Sequence, residues 1–529
     1  MNKKINDYDF EKRIPLSKND SGVRKTPGNM KLMKELLDSK GPGFCLAKWT
    51  QVSVHLGTGL THSCHHPPSH KIPLSEIENN PSALHNTSFK KEQRKLMLNG
   101  ERPDECDFCW RIEDNDVGSF SDRIEKSLAK YSSIDHDKIV EMSGEENVTP
   151  RYLEVSFSNV CNFKCSYCGP SFSSKWQEEI DTYGAYAMPD GRDYNWQPDR
   201  NIPNKENNPY VDAFWEWFPE IMPELDTLRI TGGEPLLNKN TFKLIDYLIA
   251  NPNPDMELSI NTNGNPPKKI WEQFIKKINI LTNNNCVHKF ILYTSCESYG
   301  DHAEYIRHGL NYNEFESNVI EFLDSTVNTT VVFMSSFNLL AIPKFQNFLE
   351  FVLYLKRRFN RHNGFFDWIE SKGISTKNII DSQINNRYDS TANKPYHSRK
   401  QNEINYMRIN IDIPYVRHPD FLDARLADKK LIEDYLLPAF GYMGSNSSIS
   451  NYDASLSFEN WEVDKFRRII EDIVIHHEVI NSNEYVMKQH QNSMKRFLAF
   501  VNEHDRRRNT SFLDTFPEMA HYFNDSAKH

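Results

Sequence analysis

From residue 151 to about residue 414, short apolar runs of β type alternate with longer stretches whose apolar residues recur at helical spacing. The pattern predicts strands over 152–157, 227–231, 257–262, 289–294, 329–334 and 407–413, with helices at about 171–183, 239–250, 267–280, 314–325 and 344–360. Strands that alternate with helices argue for βαβ units and a parallel sheet. The expected class is therefore α/β, and this order suits a partial (β/α)6 TIM-like barrel, a fold whose sites lie at the C-terminal ends of the strands. Two polar stretches, 187–215 and 362–405, break the alternation and read as surface insertions.

The pattern differs on either side of this core. Residues 1–43 are polar, with turn signals at Pro27-Gly28 and Gly41-Pro42-Gly43, and read as an N-terminal arm. Residues 44–127 form a cysteine-bearing segment with a helix expected over 88–100, and 128–150 read as a polar linker closed by Pro150. The core is expected over 151–414. Residues 415–529 read as a mainly helical extension, in which Phe466, Ile469, Ile470, Ile473 and Ile475 recur at helical spacing.

Composition narrows the setting. The 529 residues are 38% hydrophobic and 12% aromatic, which predicts a globular chain. A net charge of -10, with Lys and Arg dispersed, speaks against a nucleic-acid partner. No run approaches about 18 apolar residues, so no membrane span is expected. Residues 1–18 are charged and lack the apolar stretch of a signal peptide. A cytoplasmic setting follows, where thiols stay reduced. The nine cysteines then read as metal ligands or core residues rather than disulfides.

Directly after the first predicted strand stands Cys161-Asn-Phe-Lys-Cys165-Ser-Tyr-Cys168. Cysteine thiolates are the usual ligands of iron–sulfur clusters. Three in one short loop can hold three irons of a four-iron cube and leave the fourth open, as a catalytic metal requires. A zinc site or a loop of buried cysteines is the plainer alternative. Gly232-Gly233-Glu234-Pro235 closes the second predicted strand and Asn261-Thr262-Asn263-Gly264 the third. Thr294-Ser295-Cys296-Glu297 closes the fourth, and Arg307 follows in Tyr-Ile-Arg-His-Gly. Paired glycines let backbone approach a ligand closely, although each motif alone is also an ordinary turn.

The CxxxCxxC loop, the GGEP turn and the strand-end motifs, in this order, resemble the radical S-adenosylmethionine (SAM) superfamily. The resemblance implies a [4Fe-4S] cluster on Cys161, Cys165 and Cys168, with SAM chelating its open iron. It places Tyr167 beside the adenine, Gly232, Gly233, Glu234 and Pro235 at the methionyl amino group, and Asn263 along the pocket. Ser295 and Glu297 fall at the ribose or carboxylate and Arg307 at the carboxylate, with Glu297 where the family usually has Asp. The implied chemistry is reductive cleavage of SAM to a 5′-deoxyadenosyl radical that abstracts hydrogen from a substrate, fed by an external low-potential electron donor.

Ahead of the core, Cys45, Cys64, Cys106 and Cys109 follow the spacing C-x18-C-x41-C-x2-C. Four cysteines from separate loops can close one zinc or one four-iron cube. The segment resembles the twitch module, a shortened relative of the SPASM domain, in Pro81-Ser-Ala-Leu84-His-Asn86, the helix end at 95–100 and Cys106-Asp-Phe-Cys109-Trp110. Here it lies N-terminal to the core. The likeness implies a second [4Fe-4S] cluster, with structural zinc as the alternative. His62, His65, His66 and His70 read as a solvated loop, Cys286 as structural, and Cys296 as a residue at a strand end within reach of the pocket. The twitch and SPASM likeness implies a peptide or protein side chain as substrate, with a small molecule such as a sugar next. A non-catalytic iron–sulfur or zinc scaffold, or an electron carrier, is the reading from a different class. The intact GGEP turn speaks against it.

Overall fold

The computed structural model describes residues 26–115, 120–195, 200–203, 205–360, 408–448 and 456–525. Its strands are β1 (Gln51–His55), β2 (Leu60–His62), β3 (His70–Lys71), β4 (Tyr152–Ser156), β5 (Lys164–Cys165), β6 (Tyr186–Ala187), β7 (Asp193–Tyr194), β8 (Thr227–Thr231), β9 (Asn253–Thr262), β10 (Val287–Ser295), β11 (Arg307–His308), β12 (Thr329–Met334) and β13 (Ile409–Asp412). The chain divides into two compact units.

The first unit holds the described residues up to Ser158, with Asn201–Gly232 and Asn253–Ser259. Its sheet is built on β4, which pairs in parallel with β8 (Tyr152↔Thr227) and with β1 (Gln51↔Tyr152). β1 pairs antiparallel with β2, and β2 with β3. Val52 and Val54 are buried on one face of β1 and Gln51 and Ser53 on the other, as in a strand covered on both sides.

Where an arm is expected, Pro27–Lys40 is a helix. The Thr26 hydroxyl accepts from Asn29 N at 3.2 Å and Pro27 opens the first turn. Met30, Met33, Leu36 and Leu37 pack with Phe44, Trp49 and Trp110 in the core of the unit. Where a linker is expected, Lys130–Ser133 and His136–Val140 are short helices, and Leu128 and Ile139 join the same core. Both stretches carry a few apolar anchors among many polar residues, so their composition masks their burial. The predicted insertion at 187–215 ends inside the helix Pro209–Ile221, which buries Tyr210, Phe214, Trp217 and Phe218.

The second unit holds the described residues of Asn159–Arg200, Gly233–Pro252 and Ile260 onward. β10, β12 and β13 run parallel, with Phe290↔Thr329 and Val331↔Ile409 in register. Phe290 to Leu292 and Val331 to Phe333 are continuous buried runs, the composition of strands covered on both faces. The helices Ser174–Tyr183, Lys239–Ala250, Lys268–Asn283, Tyr312–Ser325 and Phe345–Phe359 alternate with the strands, close to their predicted bounds. In Lys268–Asn283 the buried stripe is Trp271, Phe274, Ile275, Ile278 and Leu281. The fold is thus α/β with mainly parallel pairing. The start of the predicted insertion at 187–215 is the β6–β7 hairpin. The predicted insertion at 362–405 lies outside the described residues. The C-terminal region is helical, with Asn460–Ile480 and Glu484–Arg508 its long members. Among the described residues no helix is long and apolar enough to cross a membrane.

Candidate functional site

Cys161, Cys165 and Cys168 share one loop of the second unit as free, half-buried thiols. Cys161 N donates to Ser174 Oγ at 3.2 Å, the Ser173 hydroxyl to Phe163 O at 2.6 Å, and Ser166 N to Ile306 O at 2.7 Å. Cys165 lies on β5, paired antiparallel with β11 and in register with Arg307. Trp176 Nε1 donates to the Cys165 carbonyl at 2.8 Å, and Asn195 Nδ2 to the Cys168 carbonyl at 3.1 Å. With these backbone groups satisfied inside the protein, the thiols are the open chemistry of the loop. Phe163 N points to Cys161 Sγ at 3.4 Å and Arg307 Nη1 to Cys165 Sγ at 3.7 Å, both donors that favour a thiolate. Burial pushes all three thiols up, Cys168 to about 12. Thiols so placed are deprotonated together when a metal cation sits among them.

The GGEP turn is stitched to this loop. A Cβ on Gly233 would stand 2.3 Å from Val160 O and 2.6 Å from Asn159 O, both backbone, so only glycine fits. Glu234 N donates to Val160 O at 2.6 Å. Gly232 holds φ 139°, a conformation that favours glycine, and Pro235 opens a short buried turn. The Glu234 side chain points inward. Its Oε1 accepts from Leu236 N at 3.0 Å and Thr262 Oγ1 at 2.9 Å, and its Oε2 from Asn263 N at 2.6 Å. Burial pushes this carboxyl up to about 7 against those three hydrogen bonds. Asn263 Nδ2 donates to Asn162 Oδ1 at 2.7 Å, so the turn, the end of β9 and the cysteine loop form one network.

Ser295 ends β10 and is half-buried. Cys296 is fully buried, with its thiol donating to Ser298 O at 3.2 Å. Glu297 is fully buried as well. Its Oε2 accepts from Arg307 Nε at 3.0 Å, Arg307 Nη2 at 2.7 Å and the Tyr167 hydroxyl at 3.0 Å. Arg307 lies 5.6 Å from the centre of the Tyr167 ring. Glu297 Oε1 has no partner among the described residues, and neither have Thr294 Oγ1, Ser298 Oγ and Ser335 Oγ, all buried at or just past the ends of β10 and β12. Buried polar atoms left unsatisfied are costly and mark places for a ligand or water. Beside Tyr167 and Cys168 lies a cavity of about 610 Å³, walled in part by Phe172, Arg192, Tyr194, Phe421 and Arg496. Arg192 and Arg496 both donate to Asp190 Oδ2 at 2.6 Å, and Arg496 also to Asp420. Thr262 lies inside the Asn261–Gly264 motif, whereas Trp176 carries no motif of its own, and the position of Asn162 inside the cysteine loop is the one cue to its part.

In the first unit Cys45, Cys64, Cys106 and Cys109 line a single cavity with Lys48 and Arg123. Lys48 is buried against Glu105, and Arg123 binds Glu113 at 2.7 Å and Asp38 at 2.9 Å. Burial, and then the other three cysteines, push the Cys45 thiol far up; burial takes Cys109 to about 11. Among the described residues no three His, Cys, Asp or Glu side chains stand close enough to share one metal ion. The nearby histidines have local partners: His62 with Cys64 O, His66 with Asp122 at 2.8 Å and the Phe108 ring at 3.7 Å, and His70 with Thr87 Oγ1 at 3.0 Å. Cys286 is buried, its thiol donating to Ile249 O at 3.9 Å.

Residues 155–338 match the family model of the Radical SAM superfamily, so this stretch is a radical SAM domain. Its relatives include three proteins named GTP 3′,8-cyclase. The one from Nautilia profundicola is 28% identical over 133 residues, 24% of this chain and 34% of that protein. The one from Aliarcobacter butzleri is 29% identical over 133 residues, 24% and 33% of the two chains. The one from Campylobacter jejuni is 30% identical over 114 residues, 21% and 27%. The chain spans about a third of the length of the curated relatives it matches. No solved structure matches it. A radical SAM domain implies a [4Fe-4S] cluster and SAM. Three free thiols in one loop and the orphaned Glu297 Oε1 fit those groups.

Proposed function

We propose that the chain reductively cleaves SAM and takes a hydrogen atom from a substrate held beside Tyr167 and Cys168. The observation that carries this is the loop of three free thiols tied, through Tyr167 and Arg307, to a buried carboxylate with one unpartnered oxygen. When bound, the cluster and SAM supply carbon–sulfur cleavage, driven by an electron from an external low-potential donor, and a carbon radical that removes hydrogen from substrate. The residues of the chain bind and orient. Cys161, Cys165 and Cys168 hold the cluster with one iron open, while Phe163 N and Arg307 support the thiolates. Gly232, Gly233 and Pro235 shape the turn at the methionyl amino group, and Glu234 and Asn263 hold that turn in place. Ser295 and the free oxygen of Glu297 receive the ribose hydroxyls, Arg307 fixes Glu297, and Tyr167 lies beside the adenine. The core over 151–414 is taken as the partial (β/α)6 barrel of the superfamily.

The twitch-like module over 44–127 holds a second [4Fe-4S] cluster on Cys45, Cys64, Cys106 and Cys109. The four cysteines line one cavity of about 20 Å³, which suits a bound metal centre, with one structural zinc the alternative to the cluster. Lys48 and Arg123 face the negative charge of four thiolates.

The name of the relatives makes a nucleotide one candidate substrate. The charges of the cavity favour another. Among the described residues that wall the cavity, Arg192 and Arg496 are already bound to Asp190, and Arg496 to Asp420 as well, which leaves less positive charge for a triphosphate. A peptide or protein side chain needs none, and a small molecule such as a sugar ranks next.

Anaerobically prepared protein is expected to hold about eight irons per chain, falling to about four when Cys161, Cys165 and Cys168 are all changed to Ala. Reduced wild type is expected to release 5′-deoxyadenosine from SAM. Release no greater than that of the triple variant would favour a non-catalytic scaffold or electron carrier. Faster release on adding GTP would overturn the peptide reading.

A further inference from the structure

The helix Glu484–Arg508 ends against the cysteine loop of its own unit. The Arg508 side chain has no exposed surface. Its Nη1 donates to Lys164 O at 2.7 Å, the carbonyl immediately before Cys165. Its Nε and Nη2 reach Glu179 at 3.1 and 3.3 Å. The guanidinium lies 4.5 Å from the centre of the Trp176 ring, and Trp176 Nε1 holds the Cys165 carbonyl at 2.8 Å. Lys164 Nζ and the Tyr186 hydroxyl donate to the same Glu179 carboxylate at 2.6 and 2.7 Å. Burial would raise that carboxyl, but Arg508, with the bonds from Lys164 and Tyr186, holds it down at about 2. Two cations therefore share one anion beside Cys165, and the set is net positive. Arg507 fastens the helix end further: it donates to Gly184 O at 2.8 Å and Ala185 O at 3.1 Å and stacks on Tyr186 at 4.0 Å.

We propose that Arg508 is a positioning residue for the electron step, fixing the backbone at Cys165 and making the cluster on Cys161, Cys165 and Cys168 easier to reduce. This rests on the iron–sulfur reading above. Reduction adds negative charge to the cluster, and net charge, hydrogen bonding and exposure set its potential. A buried cation is poorly screened by salt, so its field reaches the cluster. Arginine suits the place because one planar fork bonds a carbonyl and a carboxylate together while its face lies on an indole. The C-terminal extension thereby takes part in the chemistry of the core.

The test is the midpoint potential of the cluster at Cys161, Cys165 and Cys168, followed by electron paramagnetic resonance in the reconstituted full chain, with iron content and apo-protein melting alongside. Arg508→Met is expected to lower the reduced fraction about tenfold at a fixed solution potential, which is 59 mV for one electron. Glu179→Gln is expected to raise it. Arg508→Lys is expected to keep the wild-type potential and melt earlier. The Met and Gln variants break the same ion pair, so opposite shifts separate charge from packing. If both leave the potential unchanged, or move it the same way, the proposal falls while the iron–sulfur reading stands. A wild type that takes up no iron overturns both.

Discussion

Glu234 is a carboxyl that burial lifts from its ordinary 4.5 to about 7, although three donors point at it. The folded chain then binds this proton more tightly than the unfolded one. Stability from the group is full below about 4.5 and is lost as pH rises through about 7. Melting of the metal-free protein between about pH 5 and 8 is expected to show that decline, and Glu234→Gln, which cannot titrate, to flatten it. Gly233→Ala is expected to cost about 1–3 kcal/mol in urea unfolding and to lower iron uptake, because the new methyl meets rigid backbone. Cys161, Cys165, Cys168 and the GGEP turn were legible because each motif is contiguous. The partners of Glu234 were not, because Thr262 and Asn263 come from another strand end and nothing local announces the pairing.

At the scale of the element, the helix Glu484–Arg508 stops at Asn509, which sits at φ 52° in the left-handed region. Asn509→Gly is expected to leave melting nearly unchanged, whereas Asn509→Val should cost about 1–2 kcal/mol, since a branched Cβ strains that conformation. The iron-loaded Val variant should also move toward the potential of Arg508→Met, which an EPR titration would register. The strands from β4 to β13 that carry the core could be read to within a few residues, because parallel strands covered on both faces are apolar throughout. The helix Pro27–Lys40 and the short helices between 130 and 140 could not. Pro27–Lys40 and His136–Val140 bury one side through a few anchors such as Met33, Leu37 and Ile139, and the polar residues between them dominate the composition. The pairing of β1 with β4 left no trace in either segment, since parallel partners need no turn between them.

For the whole molecule, Cys106→Ala with Cys109→Ala is expected to remove about four irons while SAM cleavage to 5′-deoxyadenosine persists. Loss of both together would mean that the two cysteine sets are not separable. The parallel register of Gln51 with Tyr152 has a further consequence, for the order in which the chain is made. β1 leaves the ribosome long before β4 exists, and it must wait, unpaired, for a partner encoded far downstream. Long-range pairing of this kind is slow and leaves strand edges bare in the meantime. A shortened chain begun at residue 150 would never receive β1, and the open edge of β4 would be a template for a second copy. Light scattering should find such a chain self-associating where the full chain stays dispersed, which makes the N-terminal segment an internal chaperone for the edge it covers.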